Sequence, residues 1–124
     1  MPHRRLRVGV TRKLPDAVEA RLSALFDTIL NPAGAPLSAD RLVALAQDVD
    51  VLAPTLGDAL DAAFFARAGD RLKLVANFGA GVDHIDVAAA NARGVTVTNT
   101  PSVLAEDAAD MAMALILAVP RRLV

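Results

Sequence analysis

Along the chain, short runs rich in valine and leucine alternate with longer alanine-rich stretches in which apolar residues recur every three or four positions. That alternation predicts βα units on a parallel sheet. The first run, Leu6 to Val10, is followed by Pro15, a residue suited to a first helical turn, and by Val18, Leu22, Leu25 and Phe26 at helical spacing. A weak second strand is expected at Thr28 to Leu30, closed by Asn31-Pro32 and a Gly34 to Pro36 loop. Ser38 then caps a helix with Leu42, Leu45 and Ala46 inward. Val49, Val51 and Leu52 form the third strand, which Pro54 ends. Asp58 is placed to cap a helix through Phe64 and Phe65, and Gly69 stops it.

The fourth unit is the clearest. It has a strand Leu72 to Ala76, a turn Asn77 to Val82, a short helix Asp83 to Ala92 and Gly94 as the stop, with Asp83 and Asp86 in capping-box-like spacing. A fifth strand, Val95 to Thr98, leads through Asn99, Thr100 and Pro101 into a long helix from Val103 to Val119. Short connections and right-handed crossovers make a flavodoxin-like, doubly wound parallel sheet of five strands, order 2-1-3-4-5, the economical α/β topology. The long C-terminal helix is the anomaly, because Met111 to Val119 is apolar on every face. Such a helix is either buried in the core or packed on a second domain or subunit. The second alternative is the expectation, and with it a chain that is a truncated part of something larger.

Composition narrows the function classes. The 124 residues suffice for one domain with a real core. Alanine, the best helix former, accounts for 26 of them. There is no cysteine, which removes disulfides, thiolate metal sites and a cysteine nucleophile. Thirteen Lys+Arg against 14 Asp+Glu, with no Trp or Tyr, leave neither the basic footprint nor the stacking platforms of a nucleic-acid binder. The longest apolar run is about half of the ~20 residues a membrane span needs, and no secretory leader is legible, so a cytoplasmic protein is expected.

In an open α/β sheet, ligands bind beyond the carboxyl ends of the strands. The strongest candidate there is Phe78-Gly79-Ala80-Gly81-Val82-Asp83, where two glycines allow close backbone approach and the amides of a following helix would favour an anion. It is not a dinucleotide fingerprint. The third glycine position holds His84, and no acidic residue ends the next strand. An Asp83–His84 dyad is disfavoured because neighbouring helix residues diverge, and His3 lies in a basic terminus. Glu106, Asp107 and Asp110 fit the dipole of a helix start better than a metal site, so no metal is expected. Arg4, Arg5, Arg7, Arg121 and Arg122 are expected to be solvated.

The run ANFGAGVDHIDVAAANARGVTVTNTPSVLAEDAADMAMALILAVPRR, Ala76 to Arg122, resembles the D-isomer-specific 2-hydroxyacid dehydrogenases, particularly their glyoxylate/hydroxypyruvate reductase branch. Three motifs carry the likeness in order: G-x-G-x-D-x-I-D, A-A-x-x-x-G-V-x-V-x-N-T-P, and A-E-x-x-A-D at the start of the last helix. The resemblance implies an NAD(P)-dependent two-domain enzyme that interconverts a small 2-oxo acid and its D-2-hydroxy acid. Residues 1–102 would be an incomplete substrate domain, and 103–124 a linking helix toward an absent Rossmann domain and a homodimer contact. It implies substrate-carboxylate binding at Ala80, Gly81 and Val82. Leu104 and Ala108 would stand beside the nicotinamide, and Ala108 replaces a threonine common in relatives. Gly79, Asp83, Asp86, Asn99 and Pro101 would serve as turn and cap residues, with Asn99 at the cleft edge. The family's dinucleotide glycines, substrate arginine and proton-delivering histidine match no position in this chain, so no catalytic residue is expected and the chain alone should be inactive. The alternative is a stand-alone flavodoxin-like anion-binding or interaction module.

Overall fold

The computed structural model describes residues 4–123; His3 and Val124 lie outside them. Five strands and five helices alternate among the described residues: β1 (Arg7–Val10), α1 (Asp16–Leu25), β2 (Asp27–Ile29), α2 (Ala39–Asp48), β3 (Val51–Ala53), α3 (Ala62–Arg67), β4 (Leu74–Ala76), α4 (Val87–Ala92), β5 (Thr96–Thr98) and α5 (Ala105–Arg121). All pairings are parallel, in the order β2-β1-β3-β4-β5. This is the expected flavodoxin-like α/β topology.

Strand alternation divides the core between the two faces of the sheet. Leu52 and Val75 are fully buried toward α2, α3 and α4, where Leu42, Val43, Ala46, Phe64, Phe65 and Ala90 meet them. Gly9 lies on this face because a Cβ there would stand 2.9 Å from Leu45 Cδ1 and 3.1 Å from Val49 Cγ1. Its missing side chain lets α2 close on β1. The opposite face holds Val8, Val10 and Leu14, with Leu22 and Phe26 of α1. Farther along that face the cover thins. Leu74 and Ala76 are half-buried, and Thr96 and Thr98 are exposed.

Several caps differ from expectation. Ser38 caps α2 as expected, accepting from Arg41 N. The cap of α3 is Asp61, which accepts from Phe64 N at 2.8 Å, and not Asp58. Asp58 is instead buried beneath the β3–α3 loop. Likewise α4 starts at Val87 rather than Asp83. Asp86 is its cap, accepting from Ala89 N at 2.9 Å, while Asp83 is exposed in the preceding turn. Both corrections have one cause. Two aspartates three residues apart each look like a cap, and tertiary contacts choose between them. Gly94 follows α4 at φ +68°, a left-handed conformation that glycine adopts without strain.

Arg4 and Arg7 are not simply solvated. Asp50, just before β3, accepts from Arg4 Nη2 and from the Arg7 amide at 2.7 Å each, and from Arg71 at 3.3 Å. Arg7 also pairs with Asp27 and Asp48. This network ties the amino ends of β1, β3 and β4 together. Burial alone would raise the Asp50 carboxyl, but the hydrogen bonds from Arg71, the Arg7 amide and Arg4 outweigh it and hold it at about 2.

The last helix is not a core element. α5 packs against no other helix or strand among the described residues, and Met111, Leu115, Ile116, Leu117 and Val119 are all more than half exposed. Its buried-core alternative is overturned. No helix among the described residues is long and apolar enough to cross a membrane.

Two outcomes are expected from these contacts. Asp50 has a folded pKa below its ordinary 3.8, so its stabilisation is present above about pH 4 and is lost as pH falls toward 2. Urea unfolding at pH 7 should show Asp50→Asn less stable by roughly 2 kcal/mol, with a flatter decline between pH 4 and 2. Gly9→Ala forces Leu45 aside and should cost about 1–3 kcal/mol in the same assay.

Candidate functional site

Because every strand is parallel, the loops after β3, β4 and β5 emerge on one edge of the sheet. They enclose a concavity of about 450 Å3. Leu56 comes from the first loop, Phe78, Gly79, Ala80 and Gly81 from the second, and Thr100, Val103 and Leu104 from the third. No lysine or arginine lines it, and its walls are mainly apolar.

The floor is a turn organised by Asn77, which is buried immediately beyond β4. Its backbone N–H still donates to Thr98 O at 3.0 Å, so the side chain starts from a position set by the sheet. Asn77 Nδ2 donates to Gly79 O at 3.1 Å and to Gly81 O at 2.9 Å. With the amide nitrogen so used, Asn77 Oδ1 must accept from His84 Nε2 at 3.0 Å, which places the imidazole proton on that nitrogen. Asn99 Nδ2 adds a bond to Ala80 O at 2.7 Å, Thr100 N donates to Gly79 O at 3.0 Å, and Ile85 N donates to Val82 O at 2.9 Å.

The consequence is an asymmetric turn. The carbonyls of Gly79, Ala80, Gly81 and Val82 are all engaged, whereas their N–H groups have no protein acceptor among the described residues. A run of free amides beside apolar walls suits an anionic oxygen, since hydrogen bonds to charged acceptors are the stronger kind. The helix-dipole contribution expected at this point is absent, because an irregular segment separates the turn from α4.

Of the residues singled out from sequence, Gly79, Ala80, Gly81 and Leu104 line the concavity, Val82 continues the turn, and Asn99 clamps it. Pro101 lies exposed in the β5–α5 segment, and Ala108, one turn into α5, donates its N–H to Leu104 O at 3.0 Å without itself lining the concavity. Gly79 has a packing role besides: a Cβ there would stand 2.8 Å from Leu56 Cδ2. His84 is a brace for Asn77, and Asp83 makes no hydrogen bond to it among the described residues. Glu106, Asp107 and Asp110 are exposed at the start of α5, and among the described residues no three acidic or histidine side chains converge as a metal site.

Sequence reading missed Asn77 as the organiser of the turn, and Asp58 with Thr11 as buried partners. An asparagine between a strand and a G-x-G turn was the available signal for the first. The second depends on residues far apart in sequence.

The chain matches the D-isomer specific 2-hydroxyacid dehydrogenase catalytic domain over residues 8–115. It is 41% identical over 118 residues to a glyoxylate reductase of Korarchaeum cryptofilum, covering 95% of this chain and 35% of that protein. A glyoxylate reductase of Thermococcus kodakarensis is 38% identical over 120 residues, covering 97% of this chain and 36% of that protein. Among solved structures, the TT0316 protein from Thermus thermophilus superposes with a TM-score of 0.79 at 40% identity, over 95% of this chain and 38% of that one. An NADPH-dependent glyoxylate/hydroxypyruvate reductase from Sinorhizobium meliloti, in complex with NADP and malonate, gives a TM-score of 0.71 at 38% identity, over 92% of this chain and 34% of that one. The chain spans about a third of the length of these relatives. With the family match running from β1 into α5, the chain belongs to the D-isomer specific 2-hydroxyacid dehydrogenases.

Proposed function

We propose that this chain is the substrate-binding domain of an NAD(P)-dependent oxidoreductase that interconverts a small 2-oxo acid of the glyoxylate/hydroxypyruvate class and its D-2-hydroxy acid. The observation that carries this reading is the turn from Gly79 to Val82, with its carbonyls engaged and its amides free beside an apolar concavity. The amides of Ala80, Gly81 and Val82 bind the carboxylate. Leu56, Phe78, Val103 and Leu104, each more than half exposed in this chain, supply apolar walls for the rest of a short substrate. The malonate in the Sinorhizobium enzyme, a small carboxylate, is in keeping with this chemistry.

The described residues do not themselves fit a dinucleotide. The Gly79-Ala80-Gly81 turn leads into an irregular segment and the six-residue α4, without the helix N-terminus a pyrophosphate needs. The coenzyme belongs to a second domain, with Leu104 and Ala108 bordering its nicotinamide end. Residues 1–102 then form the substrate domain, and 103–124 the link toward the coenzyme domain and a homodimer contact in a cytoplasmic enzyme. The bare apolar surface of α5 and the thinly covered sheet face support further packing partners.

Calorimetric titration with malonate or glycolate tests the site. Binding is expected, and Asn99→Ala, which releases the Ala80 carbonyl, should weaken it about fivefold, the equivalent of ~1 kcal/mol. Absence of binding, or binding indifferent to Asn99, contradicts the reading. In the same samples, NADH-dependent reduction of glyoxylate by the 124-residue chain alone is expected to be absent, and measurable turnover would overturn the assignment of the coenzyme site to another domain.

A further inference from the structure

Asp58 is a buried carboxylate, 3% exposed, that neither caps α3 nor lines the concavity. Burying a carboxylate is costly unless its lone pairs are used. Here Asp58 Oδ2 accepts from Thr11 Oγ1 at 2.5 Å, Thr55 N at 2.9 Å and Thr55 Oγ1 at 3.3 Å. Arg12 supplies the countercharge, its Nε 3.9 Å from Asp58 Oδ1. That Nε is buried without a hydrogen-bond partner among the described residues. The guanidinium also lies against the bare Cα of Gly57, where a Cβ would meet Nη2 at 2.8 Å.

These contacts converge on one short loop. Thr55 and Asp58 close it through Asp58 N to Thr55 O at 3.0 Å, and Pro54 O accepts from Phe78 N at 2.9 Å. Between them stands Leu56, 62% exposed, seated over Gly79 in the concavity wall. A leucine that exposed is not held by burial of its own side chain, so its place depends on the backbone beneath it.

We propose that Asp58, with Thr11 and Arg12, is the positioning device that fixes Leu56 over Gly79 and so limits the length of the substrate chain beyond its carboxylate. Asp58 acts through Leu56 and does not touch the substrate. The substrate part of this inference rests on the carboxylate reading of the Gly79–Val82 turn.

The test is NMR on the 124-residue chain, with two readouts. One is the contact between the Leu56 methyls and Gly79 Hα in the free protein. The other is the affinity ratio of glycolate to D-2-hydroxybutanoate, from shifts of the Ala80, Gly81 and Val82 amides. Asp58→Asn and Thr11→Val are expected to lose the methyl contact and to lower the ratio at least threefold, toward that of Leu56→Ala. Thr11→Ser, which keeps the hydroxyl, should retain both. A contact or a ratio unchanged in the folded variants overturns the proposal. If Asp58→Asn does not fold, the Thr11→Val and Thr11→Ser pair decides by the same two readouts. If the wild-type chain binds neither acid, the carboxylate reading and the substrate-length limit fail together, and the methyl contact alone confirms or refutes the positioning of Leu56.

Discussion

The candidate site depends on one buried side-chain amide. Asn77 leaves β4 still bonded to β5 through its backbone, and its side chain spends both amide protons on the carbonyls of Gly79 and Gly81 while accepting from His84. Each of those groups, left unpaired, would cost about 1–3 kcal/mol, so the turn has little freedom to rearrange. The free amides at Ala80, Gly81 and Val82 follow from that engagement. The side chain that organises the turn satisfies its carbonyls and leaves its N–H groups available.

The two edges of the sheet divide the work. At the amino edge, Asp50 gathers Arg4, Arg71 and the Arg7 amide into a charged network that fixes the strands relative to one another. At the carboxyl edge the concavity is lined without lysine or arginine. An acid held there would be recognised by oriented neutral dipoles rather than a point charge, which demands accurate placement of each amide. The clamp from Asn99, the brace of His84 and the seat of Leu56 on Gly79 all restrict the turn.

The order of elements was legible because valine-rich runs and alanine-rich helices alternate without interruption, whereas the strand order was a choice among the few parallel topologies that short connections leave, and the structure decides it. The candidate turn was legible too, through its paired glycines. What escaped was set by contacts between distant residues. Asp58 and Asp61 look alike as caps until Thr11 places the first beneath the loop. Arg4 and Arg7 look solvated until β3 brings Asp50 beside them. The last helix was legible as anomalous, since no surface helix is apolar all round, but only the structure shows it free of the core.

Whether the turn after β4 holds a carboxylate by its backbone amides is decided by a crystal structure of the chain grown with malonate. A carboxylate is expected within hydrogen-bond distance of the nitrogens of Ala80, Gly81 and Val82, with the bonds from Asn77 and Asn99 to the turn carbonyls intact. Malonate seated instead on a guanidinium such as Arg12 or Arg41, with the turn amides unengaged, would contradict it.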